Sequence, residues 1–112
     1  MTTLPQLSAP TFEYESPVDT SELPDFVKAE VPKSVYIVPG DEIDFHVRID
    51  KSSKWEKTAQ VTSETKFPMV FSIPKEIFSE GNKPAEAELL YIRYQGGGGN
   101  DDHSSTLTLK LE

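Results

Sequence analysis

The chain has 112 residues, with 11 Lys and Arg against 19 Asp and Glu, no cysteine and a net charge of −8. That length holds one domain around one core, and the acidity excludes a general nucleic-acid role, which needs clustered Lys and Arg. Without cysteine there is no disulfide, thiolate nucleophile or thiolate metal site; a mean hydropathy of −0.46, with no apolar run near the roughly 18 to 20 residues of a bilayer helix, excludes membrane insertion.

In chain order, residues 1–10 carry two prolines and read as a flexible leader or linker, leaving residues 11–112 as the domain. The start has neither a basic stretch nor an apolar core, so no signal peptide is expected. A first strand is expected from Thr11 to about Glu15 and a second from Phe26 to Val31, ended by Pro32, which has no N–H to give a ladder. Val35-Tyr36-Ile37-Val38 is expected to pack across the open end of the fold.

Glu42 to Asp50 alternates strictly, putting Ile43, Phe45, Val47 and Ile49 on one face and Asp44, His46, Arg48 and Asp50 on the other. After a polar turn at Lys51 to Lys54, Trp55 to Ser63 is expected as an edge strand, favoured by Thr58, Val61 and Thr62. Met69, Phe71 and Ile73 share an inward face. Pro74 to Ser79 reads as one helical turn with Gly81 beyond it, where Ile77 or Phe78 plugs the core.

Ala87 to Tyr94 is apolar on both faces, with Leu89 and Tyr91 on one and Leu90, Ile92 and Tyr94 on the other. Such a strand is central, or its outer face meets another domain. Gly96 to Asp102 is expected as a hairpin loop into a last strand whose core face is Leu107, Leu109 and Leu111. Strands of five to eight residues between Pro, Gly, Asn and Asp turns predict an all-β antiparallel sandwich of about seven strands, with one short helical turn near residues 74–79.

From about Ser21 to Glu112 the order of motifs resembles the bacterial immunoglobulin-like repeat domains found in tandem in large secreted or cell-surface proteins. The matching residues are Glu30-Val31-Pro32, Pro39-Gly40-Asp41 with the alternating strand to Ile49, Phe71-Ser72-Ile73-Pro74 with Lys75-Glu76-Ile77, Tyr91 to Gly99, and Ser104 to Leu109. Two features depart from the pattern: Arg93 stands where a small apolar residue is usual, and the four-glycine loop is long. The resemblance implies a non-enzymatic structural or adhesive module, secreted or at the cell surface as part of a longer chain, whose partners are neighbouring immunoglobulin-like domains or another protein. It carries over no catalytic or ligand residues.

The candidate chemistry is sparse. His46 and His103 are the only bases for a hydrolytic triad; His46 lies mid-strand on a polar face and His103 in a glycine-flanked loop, so no enzyme is expected. Asp41, Glu42, Asn100, Asp101 and Asp102 offer the oxygens that Ca²⁺ takes, without the spacing of an EF-hand. Gly96 to Gly99 lack the helix and Lys-Ser/Thr of a phosphate loop and read as a turn. Trp55, Tyr91 and Tyr94 are the candidate contact surface, for protein or for a host or bacterial surface glycan; the alternative for Trp55 is a place on the core.

Overall fold

The computed structural model describes residues 7–96 and 101–112. Two antiparallel sheets pack face to face. One holds three strands in the order β1 (Thr11–Phe12), β2 (Phe26–Val31) and β5 (Met69–Pro74). The other holds β4 (Ser52–Gln60), β3 (Glu42–Ile49) and β6 (Ala85–Tyr94), and the far edge of β6 is shared by β7 (Asp101–His103) and β8 (Leu107–Leu111). The chain is an all-β sandwich with eight strands among the described residues. No helix there is long and apolar enough to cross a membrane.

Period-two alternation sets the interior. Val27, Ala29 and Val31 of β2, Met69, Phe71 and Ile73 of β5, and Ile43, Phe45, Val47 and Ile49 of β3 are all buried. At the centre, the rings of Phe45 and Phe71 stack at 4.9 Å across the sheets. The helical turn α1 (Glu76–Ser79) buries Phe78, which meets Phe12 at 5.3 Å, while Ile77 packs only partly on the core.

Several boundaries differ from the sequence expectation. The β3–β4 turn is Asp50-Lys51, both with positive φ, so β4 starts three residues before Trp55 and ends at Gln60; Asp50, a ladder end by alternation alone, becomes a turn residue. Asp101 to His103 form β7 and are not loop; they pair with Tyr94, Arg93 and Ile92. The rest of the glycine loop, residues 97–100, lies outside the described residues. The expected last strand is intact as β8; between β7 and β8 the Ser104 N–H donates to the Tyr91 carbonyl at 3.0 Å and its hydroxyl accepts the Tyr91 N–H at 2.9 Å.

The domain also begins earlier than residue 11. Leu7 is 1 % exposed, forms a parallel bridge with Ser104 and accepts the Ser105 N–H at 2.9 Å. The Tyr91 hydroxyl donates to the Ser8 carbonyl at 2.7 Å. Residues 7–10 are therefore part of the sandwich, while 1–6 lie outside the described residues. Further on, Val18 bridges Leu111, so one segment touches both sheets in turn.

Candidate functional site

Arg93 sits on the interior side of β6. It follows Ala85, Ala87, Leu89 and Tyr91 at every second residue, and like them it is buried. A guanidinium cannot be placed there without partners, because an unpaired buried charge costs several kcal/mol. Two carboxylates meet it. Asp102 stands opposite on β7 and bonds Arg93 Nη2; Asp41, immediately before β3, places Oδ2 3.6 Å from Nη1. Nη1 also donates to the Tyr36 carbonyl. Among the described residues Nε has no partner.

Asp41 is the junction of this cluster. Its Oδ2 accepts the Val38 N–H at 2.9 Å and its Oδ1 accepts the Gly96 N–H at 3.4 Å. Its own N–H donates to the Val38 carbonyl at 3.1 Å, and its carbonyl accepts from Val61 at 2.8 Å. Gly40 takes φ +100°, a conformation that favours glycine, and at Gly96 an added Cβ would overlap the Gly40 carbonyl. Glycine at both places lets the connection before β3 lie against the end of β6.

This internal scaffold fixes the connection from Pro32 to Gly40. Only Ile37 turns into the core. The expectation that Val35 to Val38 would all pack across the open end is corrected: Val35 is 85 %, Tyr36 46 % and Val38 48 % exposed. In a short irregular connection that crosses the end of a sandwich, one side chain can point inward while the rest face water. The result is an apolar knuckle whose backbone is tied to buried charges. Glu42, next to Asp41, stands opposite Tyr94, so the knuckle and Tyr94 share one end of the larger sheet.

The aromatic candidates separate. Tyr91 is wholly buried on the interior face, and its burial pushes the hydroxyl pKa up to about 12. It offers no contact surface, because its register on β6 puts it in the same row as Leu89. Trp55 opposes Val47 on β4 and packs its partly buried ring on the core, edge-on to Phe45 at 6.4 Å. Tyr94 alone of the three lies on the outer face. Its pKa is raised by burial first, then by the charges of Asp44, Asp101, Glu42 and Glu56, so that face carries a negative field.

The calcium candidates also separate by parity. Asp41 and Asp102 point inward to Arg93. Asp101 opposes Tyr94 on the outer side, and Glu42 accepts the Gln60 amide at 2.6 Å. Asn100 lies outside the described residues. Two of the five carboxylates and amides expected to gather around an ion are thus taken by a protein cation.

His46 lies on the polar face of β3 with Asp44 beside it, as the alternation predicts, and with Glu56 across the ladder, a neighbour that only the strand register supplies. Arg93 is the residue that sequence reasoning placed least well. The available signal was its parity with Leu89 and Tyr91, which asks for buried acids to match it. Compared with protein-family models, with curated proteins and with solved structures, the chain matches none.

Proposed function

We propose that this chain is a non-enzymatic contact module: an immunoglobulin-like sandwich in a larger bacterial secreted or surface protein, whose knuckle at Val35, Tyr36 and Val38 meets a neighbouring domain or another protein. The observation that carries the reading is that these three exposed apolar residues lie within four positions of one another and are held by the Arg93, Asp41 and Tyr36 bonds. Scattered apolar residues on a surface need no explanation, whereas a contiguous group marks a contact site. A loop ordered before binding loses less entropy on association. The strand order β1-β2-β5 against β4-β3-β6, together with the motif order of the sequence, supports the immunoglobulin-like part of the reading. A glycan platform is disfavoured, since Trp55 and Tyr91 turn toward the core and form no exposed strip with Tyr94.

The test is photo-cross-linking in the native setting, with a photoreactive side chain at position 35 or, as control, at position 72 on the outer face of the smaller sheet. The reading predicts a discrete adduct from position 35 that excess unlabelled protein suppresses and that position 72 does not give. The same adducts from both positions, or none from position 35, would contradict it.

A further inference from the structure

A second group of side chains stands on the outer face of the larger sheet, apart from the knuckle. Asp44 and His46 are two residues apart on β3 and so share that face. The β3–β4 register sets Glu56 opposite His46 and Thr58 opposite Asp44. His46 Nε2 lies 3.0 Å from Asp44 Oδ2, and Nδ1 lies 3.5 Å from Glu56 Oε2. One donor atom from each of Asp44, His46 and Glu56 falls within 4.8 Å of the other two.

We propose that Asp44, His46 and Glu56 form a binding site for a divalent transition cation of the Zn²⁺ class, with water completing its coordination. Two ligands bonded to one ion at about 2.0–2.1 Å stand roughly 3.0–3.4 Å apart, so the His46–Asp44 edge already has the spacing of such a pair. The second Asp44 oxygen accepts the Thr58 hydroxyl at 3.1 Å, an outer contact of the kind that orients a metal-binding carboxylate. Glu56 faces the other ring nitrogen, Nδ1, and is exposed enough to swing to the Nε2 side, while the ladder holds its backbone beside β3.

The donor set decides the class of ion. Imidazole with carboxylates suits Zn²⁺ and its neighbours, whereas Ca²⁺ wants six to eight oxygens. Glu42 and Asp101 stand on the same face without joining the cluster. With them it adds a negative field to the burial that raises the Tyr94 hydroxyl, and such a field concentrates cations.

The experiment is calorimetric titration of the full chain with a zinc salt, read in parallel by the histidine ring resonances in NMR. Saturable one-to-one binding is expected, with shifts confined to His46 while His103, on β7, stays put. His46→Gln should abolish it, and Glu56→Gln and Thr58→Val should weaken it about tenfold or more. Ca²⁺ should not compete. Absence of saturable binding, binding kept by His46→Gln, or equal displacement by Ca²⁺ would each overturn the site. If His46→Gln fails to fold by circular dichroism, the exposed Glu56→Gln variant decides in the same way.

Discussion

Tyr91 and Arg93 stand two residues apart on the inner face of β6, and each sends a polar group to a distant segment, Tyr91 to Ser8 and Arg93 to Tyr36. Tyr91 gives a pH prediction. An unfolded tyrosine ionises near pH 10, and burial raises the folded value to about 12. The folded state therefore holds this proton more tightly. Its contribution is fully present below about pH 10 and is lost as pH rises through about 12, at up to about 1.4 kcal/mol per unit. Urea midpoints across that window, followed with tyrosinate absorbance, should fall as the last tyrosine ionises. Ionisation of all four tyrosines near pH 10 with the fold intact would oppose this.

At the scale of elements, alternation made the strands legible and left their ends obscure. Ile43, Phe45, Val47, Met69, Phe71 and Ile73 point inward as expected, because a strand buried on one face writes its register into every second residue. The β3–β4 turn was misplaced because Asp50 and Lys51 adopt positive φ without glycine, which no local signal marks. The charge cluster was hidden for another reason: Arg93, Asp41 and Asp102 come from three separate segments, and only the antiparallel register brings them together. Replacing Arg93 with Met would leave Asp41 and Asp102 buried and unpaired. The expected loss is about 3–5 kcal/mol in urea unfolding. Replacing Asp41, Arg93 and Asp102 together with apolar residues should cost less than Arg93→Met alone, because no buried charge is then stranded. Equal or greater loss in the triple variant would argue against pairing as the role of the cluster.

For the whole molecule, the sandwich is closed at one end by buried charge and strapped by its first described residues, which touch both sheets at Leu7, Thr11 and Val18. The strap was not legible because an isolated Leu7 between prolines and polar residues has no period to read. Outside this frame stand unlike surfaces: the apolar knuckle at the Arg93 end, the acidic outer face around His46 and Tyr94, and the outer face of the smaller sheet with exposed Phe26 and Val70. The central claim is that the charge cluster holds the knuckle in place while its side chains face solvent. Amide hydrogen exchange across the chain tests this most directly, because the Val38 N–H depends on Asp41 and the Ile37 N–H on the Ser34 carbonyl at 3.2 Å. Protection of both amides in the wild-type chain, lost in Arg93→Met while β2 and β5 stay protected, is the predicted result. Exchange of Val38 and Ile37 at the rate of an unstructured peptide in the wild-type chain would contradict it.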